Sequence, residues 1–379
     1  MRFRHPGGGT LHLAYCTNVH PAESVDGIID QLERYAGAVR ERLGAESLGV
    51  GLWLSHLVVD EPGAAERLRE ALRRLKLEVV TLNGFPYRAF QAPVVKLGVY
   101  RPSWADPRRR YYTLGLVQLL DRIMPDDVEE GSISTVPLGW RTEWSEGAQA
   151  AARDALGCVA SELERLHART GRRIRLALEP EPGCTIETVR QAAEFLAGFA
   201  PEWIGICFDA CHLAVQFEEP EEALQLLADS GVPVVKAQVS NALRVEEPGS
   251  PAGQELLRRF NEPRFMHQVR ERVNGRVEGV DDLPEALAGG LPGESEWRVH
   301  FHVPVNDAQH TTQPELERAL ERLLASDGGP ATAHFEVETY TWNVMPGRDH
   351  GDEDLVEGIA QELDWTRQRF IEHGAEVVA

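Results

Sequence analysis

The chain has 379 residues, 42% of them hydrophobic, a length that an α/β barrel with elaborated loops fills as one unit. Its 60 acidic residues against 39 basic ones leave a formal charge of −21, which repels a phosphate backbone and argues against nucleic acid as a partner. No run reaches the roughly 18 apolar residues of a membrane span, so no integral membrane segment is expected. Five scattered cysteines, with no apolar leader after Met1, predict a reduced, cytoplasmic setting.

Strand-length apolar stretches alternate with amphipathic helical ones. A strand near 11–19 is followed by a helix over 22–43, a strand over 48–55, a helix over 63–75 and a strand over 77–84. Beyond a long connection, 86–108, come a helix over 109–123, a strand over 131–137, a helix over 145–170 and a strand over 173–180. The run Arg108, Arg109, Arg110 reads as a solvated helix start rather than a binding patch. A helix over 185–198, a strand over 203–209, a helix over 219–229 and a strand over 233–240 continue the pattern. A second long connection, 241–296, leads to a strand-like run over 297–304, then a strand over 331–339 and a helix over 352–372.

Such βα alternation predicts helices packed around a closed parallel sheet, a (β/α)8 TIM barrel of α/β class. No Gly/Pro/Ser-rich linker divides the sequence, so a single domain over 1–379 is expected. The nine strand candidates exceed the eight barrel places, which makes 297–304 an extra strand and 241–304 a candidate inserted segment. The two long connections could cover the catalytic face or only decorate the surface. A homo-oligomer is left open.

Neighbouring side chains of a strand point to opposite sides. Over 173–181, Ile174, Leu176 and Leu178 share the face that helices would cover, leaving Arg175, Ala177, Glu179 and Glu181 inside. The next strand turns Gly205, Cys207 and Asp209 inward. The one after turns Lys236, Gln238 and Ser240 inward and Val235 outward, and the last turns His334, Glu336 and Glu338 inward. Glu179, Asp209, Gln238 and Glu338 thus converge near the C-terminal strand ends, where barrel enzymes keep their catalytic groups. Carboxylates gathered there need a shared proton or a divalent cation; oxygen ligands suit Mg²⁺ or Mn²⁺, and an added imidazole admits Zn²⁺, Co²⁺ or Fe²⁺.

His212, in Phe-Asp-Ala-Cys-His, lies just past its strand and is expected to reach a ligand or substrate, the alternative being an ordinary strand-to-helix cap. His300 and His302 share one face of 297–304. They enter the cavity if that run is a barrel strand, and are surface or hydrogen-bonded core histidines if it is an edge insertion. At the end of the first strand Cys16, Asn18 and His20 share a face, suited to hydroxyl recognition or to organising the turn before Pro21. Trp53 with Ser55, Asn83 with Tyr87, and Glu181 and Glu336 beside the carboxylates are further candidates to line a substrate mouth. There is no Gly-x-x-x-x-Gly-Lys-Ser/Thr loop, no Gly-x-Ser-x-Gly elbow and no paired Cys-x-x-Cys, and Gly7-Gly8-Gly9 precedes the first strand instead of following it.

Leu-Ala-Leu-Glu179, Phe-Asp209-Ala-Cys-His212 and Phe-Glu-Val-Glu338 resemble strands of the xylose-isomerase-like TIM-barrel superfamily of sugar isomerases, ketose 3-epimerases and inosose dehydratases. More narrowly, Ala-Tyr-Cys-Thr-Asn-Val-His-Pro-Ala-Glu, Leu-Glu-Pro-Glu-Pro-Gly-Cys and His-Phe-Glu-Val-Glu-Thr-Tyr-Thr-Trp are similar to stretches of the EboE metabolite-traffic family. The resemblance implies a divalent metal, Mn²⁺, Mg²⁺, Zn²⁺ or Co²⁺, held by Glu179, Asp209 and Glu338, with His212 touching a small polyhydroxylated substrate, a sugar, cyclitol or related polyol. Gln238 occupies the place of a metal-binding histidine in most relatives, a departure that His302 would repair if its strand reaches the mouth. The expected function is isomerisation or epimerisation through an enediolate, with Glu179 and Glu338 as acid and base. A polyol dehydratase and a non-catalytic metabolite-binding protein are the alternatives, the second favoured by Gln238. An abasic-site endonuclease on the same fold is opposed by the net charge.

Overall fold

The computed structural model describes residues 1–325 and 329–378. Seven parallel strands, β1 (Thr10–Cys16), β2 (Leu48–Trp53), β3 (Thr81–Asn83), β4 (Glu130–Thr135), β5 (Arg173–Leu178), β6 (Ile204–Asp209) and β7 (Val234–Val239), pair in chain order. The four strands that follow, β8 (Asn241–Val245), β9 (Val269–Val273), β10 (Arg276–Val280) and β11 (Trp297–Val303), form a separate antiparallel sheet. β12 (His334–Val337) then lies between β7 and β1, with His334 opposite His12 and Phe335 opposite Ala237, and closes an eight-stranded barrel. The predicted strand over 77–84 is split in two, Leu77–Glu78 and Thr81–Asn83.

Helices surround the barrel, and their ends follow local chemistry. Asp106 accepts from the Arg108 amide ahead of Pro107 at the first helical position, and Thr188 and Gln191 form a reciprocal capping box. The predicted helix over 22–43 consists of three consecutive helical segments, Val25–Gln31, Leu32–Gly37 and Ala38–Arg42. A helix at Gln313–Leu323 was not anticipated, although Leu316, Ala319, Leu320 and Leu323 have the spacing of one buried face.

The inward and outward sorting holds where the ladders are regular. Ile174, Leu176, Leu178, Ile204, Ile206, Phe208, Ala237, Val239, Phe335 and Val337 all join the apolar core between barrel and helices. Val235 is a correction. The β6–β7 register shifts between Ile206 and Cys207, and this irregularity turns Val235 inward against Ala177 and Cys207.

The antiparallel sheet has strand order β8-β11-β9-β10 and its own apolar cluster, which includes Leu243, Val269, Trp297, Val299 and Phe301. Asn274 and Gly275, both at positive φ, make the two-residue turn between β9 and β10. β11 alternates strictly. Trp297, Val299, Phe301 and Val303 face the cluster, which leaves Arg298, His300 and His302 on the opposite side. Arg298 donates to the Ala214 carbonyl at 2.9 Å and pairs with Glu315, tying that side of β11 to the helix Ala210–Val215 at the end of β6.

Candidate active site

Three strand ends deliver the carboxylates. Asp209 is the last residue of β6, while Glu179 and Glu338 each stand one residue beyond β5 and β12. One oxygen from each lies within 4.8 Å of the other two, and all three residues are buried. Asp209 is held in place by its Oδ1, which accepts from the His212 amide at 2.9 Å and from Ser240 Oγ at 2.8 Å. Asn18 Nδ2 donates to Glu338 Oε1 at 2.7 Å, and the Cys16 thiol lies 3.5 Å from the same oxygen.

The inserted sheet supplies the other wall. 297–304 is not a barrel strand, yet His300 and His302 still line the cavity, so barrel membership was not the condition for entering it. β11 crosses close to the mouth and carries both imidazoles on the side that faces it. His212 Nε2 lies 3.0 Å from His300 Nε2, and Asp209, His212 and His302 bring one donor atom each within 4.8 Å of one another.

Other candidates divide. Asn83 and Glu181 line the cavity; Tyr100 donates to Glu181 Oε1 at 2.7 Å. Gln238 lies beside Asp209 in register and donates through Nε2 to Asn83 Oδ1 at 3.2 Å. His20 is not brought to the site, because the turn Thr17–Val19 breaks the strand alternation and leaves its ring stacked on Tyr35 at 4.5 Å. Trp53 packs behind the wall with Phe90, Phe265 and Tyr340, its indole N–H bonded to the Pro86 carbonyl. Ser55 bonds the Glu23 carbonyl and Tyr87 stacks on His56, both away from the cavity. Glu336 lies one inward position deeper than Glu338, ion-paired with Lys236 and bonded by Asn83 at 2.6 Å, so it supports the site from below instead of lining it.

Tyr100 and Gln268 reach the site without having been anticipated, although both lie in the two long connections. These segments fasten to each other over the mouth. The Val95 and Lys96 amides donate to the Arg264 carbonyl at 2.7 and 3.0 Å, and Lys96 pairs with Asp282 at 2.6 Å. The cavity they enclose, about 50 Å³, has room for a few waters. Phe85, Phe90, Val99, Phe265 and Tyr340 make its apolar side.

Burial, then the charges of Glu338 and Asp209, push the Glu179 carboxyl well above its usual range. Burial, Asp209 and Glu336 raise Glu338 to about 8, and burial raises Glu181 to about 8 against the opposing bond from Tyr100. Burial also depresses His212, His300 and His302, the last to about 4. Among the described residues, Asp209 Oδ2, Gln238 Oε1 and His302 Nε2 are buried without a hydrogen-bond partner. Each such orphan costs about 1–3 kcal/mol unless a donor or cation satisfies it, so the donor set fits a divalent cation.

The xylose isomerase-like TIM barrel family matches residues 38–272. The chain belongs to that family. The fold of this xylose isomerase-like barrel is shared with solved structures of low identity. A xylose isomerase-like TIM barrel protein from Mycobacterium smegmatis in complex with magnesium is 15% identical over 98% of this chain and 94% of that one, with a TM-score of 0.52. The IOLI protein with a binding zinc atom is 13% identical over 96% and 99%, TM-score 0.51. A D-tagatose 3-epimerase-like protein is 13% identical over 95% and 99%, TM-score 0.50. No curated protein matches the sequence. Among the described residues no helix is long and apolar enough to cross a membrane.

Proposed function

We propose that this barrel isomerises or epimerises a sugar, cyclitol or related polyol through an enediolate. The observation that carries the reading is the meeting of Glu179, Asp209 and Glu338 within 4.8 Å at one end of the barrel, beneath a covered cavity. These three would hold a divalent cation, with the free Gln238 Oε1 as a further oxygen donor. When bound, such a cation supplies the positive charge that polarises a substrate carbonyl and its neighbouring hydroxyl.

The chain's own groups then move the proton. One of Glu179 and Glu338 takes hydrogen as H⁺ from the carbon beside the carbonyl; the C–H electron pair becomes the new carbon–carbon double bond and the carbonyl π pair moves onto oxygen. Return of a proton to the adjacent carbon, with the neighbouring hydroxyl's proton passing to the former carbonyl oxygen as the new carbonyl forms, gives isomerisation; return to the opposite face of the first carbon, with the original carbonyl reforming, gives epimerisation. Asn18 orients Glu338 for this role, while Glu181 offers an acceptor to substrate hydroxyls. The aromatic cover keeps bulk water from the enediolate.

Incubation of the metal-loaded protein with a polyol and ketose panel in deuterated water tests this reading. Label should enter the reacting carbon, and Glu179→Gln or Glu338→Gln should slow both exchange and turnover by about 10²–10⁴-fold. Normal turnover in both variants, with no label in the wild type, rejects the mechanism. A product with a new double bond and one water fewer would indicate a dehydratase, and tight ligand binding without label or turnover a carrier.

A further inference from the structure

We infer that the barrel carries a second ligand site at its opposite, N-terminal end, built to take a phosphate group, free or as the ester of a small metabolite. The inference goes beyond the proposed reaction and does not depend on it.

The site is a cavity of about 550 Å³ at the starts of β1, β4, β5, β7 and β12. Inward positions of a TIM barrel are ordinarily filled by branched apolar side chains. Here, beneath the Lys236–Glu336 pair, the inward residues His12, Arg175 and His334 all line the cavity. Strand alternation puts them there. Arg175 lies four residues before Glu179 and His334 four before Glu338, on the same faces. His12 stands opposite His334 in the ladder, turned inward because Leu11 and Leu13 join the outer core.

Arg175 supplies the charge that calls for an anion. Its Nη2 donates to the Pro201 carbonyl at 3.0 Å, and among the described residues its Nε is buried without a hydrogen-bond partner. Burial and the like charge of Arg173 hold its pKa below the usual range, with Glu130 and Glu202 opposing them through space. The acids at the rim are already matched: Asp127 pairs with Arg2 and Glu130 with Arg173, while Glu129 is exposed and screened by water. A guanidinium left with spare donors in a partly dry wall is stabilised by an oxyanion, which can take two parallel N–H bonds from it.

The histidines add directed donors. His334 is 4% exposed; its Nδ1 lies 2.8 Å from Ser132 Oγ, which lies 2.8 Å from Thr81 Oγ1. Either hydroxyl of that pair can donate, so Ser132 can give its hydrogen to Nδ1 and leave the ring N–H on Nε2 for a ligand. His12 has no side-chain hydrogen bond among the described residues and meets His334 edge to face at 5.7 Å. Burial keeps both rings neutral, pushing His12 down to about 3 and His334 well below its usual range. They contribute N–H groups beside the charge of Arg175, in a cavity with room for an organic body behind the phosphate.

Isothermal titration of the chelator-stripped full chain at low salt, with inorganic phosphate and with glycerol 3-phosphate, tests the site. One equivalent should bind with a dissociation constant on the order of 1 mM or tighter. Glycerol 3-phosphate binding at least about tenfold tighter than phosphate supports an ester, and similar affinities support free phosphate at the same donors. Arg175→Gln should weaken both at least about tenfold, because the charged donor pair is gone. No binding of either anion to the wild type at about 10 mM, or unchanged affinities in Arg175→Gln, overturns the inference. If circular dichroism shows the variant unfolded, wild-type crystals soaked in tungstate replace it. Anomalous density beside Arg175 is then the expected result, and density absent or confined to other places overturns the inference.

Discussion

Glu336 and Glu338 stand two residues apart on the same inward side of the chain, both buried, and their surroundings are opposite. Glu336 has a cation of its own, the fully buried Lys236, and Asn83 donates to it; Asn83 Oδ1 in turn accepts from Lys236 at 2.8 Å. Among the described residues Glu338 has only neutral donors, Asn18 and Cys16, and it faces Glu179 and Asp209. The lower layer of the barrel is thus electrically closed, and the upper layer needs positive charge from outside. A buried acid with its own cation is part of the scaffold, whereas a group of acids without one is a binding site in waiting.

The largest effect expected from this contrast is at Lys236. Lys236→Met leaves Glu336 unmatched in a dry interior and should cost about 3–5 kcal/mol in urea unfolding. The double variant Lys236→Met/Glu336→Gln removes both charges and should recover most of that loss. A single variant as stable as the wild type would show that the lower layer is not a matched pair. Next comes Gly51→Ala. A Cβ at this position would come 1.8 Å from Glu336 Oε1, so the carboxylate must leave its lysine, at a cost of about 1–3 kcal/mol in the same assay.

A third buried acid, Glu362, lies between the two extremes. It accepts from Thr339 Oγ1 at 2.5 Å, Trp342 Nε1 at 2.9 Å and the Val305 amide at 3.1 Å, yet burial still raises it to about 7. Its folded pKa exceeds its unfolded one, so the folded state holds the proton longer. The stability this gives is full below about pH 4.5 and is lost as pH rises through about 7. Glu362→Gln should flatten that slope, the wild type losing on the order of 1 kcal/mol relative to the variant between pH 4.5 and 7.5. Parallel slopes would mean that the three donors offset the burial.

The barrel was legible because its signals are local. Strand alternation placed Glu179, Asp209 and Glu338 on one side without knowledge of any neighbour. It failed at Val235, where a register shift depends on the paired strand, and at His20, where a turn follows the strand. Glu336 was read as lining the mouth because alternation gives the face and not the depth, and depth is set by the barrel stagger. The convergence of His300 and His302 with His212 was beyond reach of periodicity, since it depends on how the antiparallel sheet lies over the barrel end. Gln268 and Tyr100 carried only one signal, their place in connections too long to be simple turns.

The smallest stability change is expected at Glu179, and its sign is the informative part. Burial and like charge dominate its environment, and among the described residues no group donates a hydrogen bond to its carboxylate. In chelator-stripped protein, Glu179→Gln therefore removes repulsion from Glu338 and Asp209 without leaving a donor unpaired, and should leave stability unchanged or raise it by up to about 1 kcal/mol. With excess Mn²⁺ the order should reverse. The wild type gains stability from the ion in proportion to the logarithm of its concentration over the dissociation constant, and the variant gains less. Thermal unfolding of both proteins with and without Mn²⁺ reads the two signs in one experiment. A variant that is less stable than the wild type when stripped, and equally stabilised by the ion, would place Glu179 with Glu336 as a structural acid and remove it from the candidate centre.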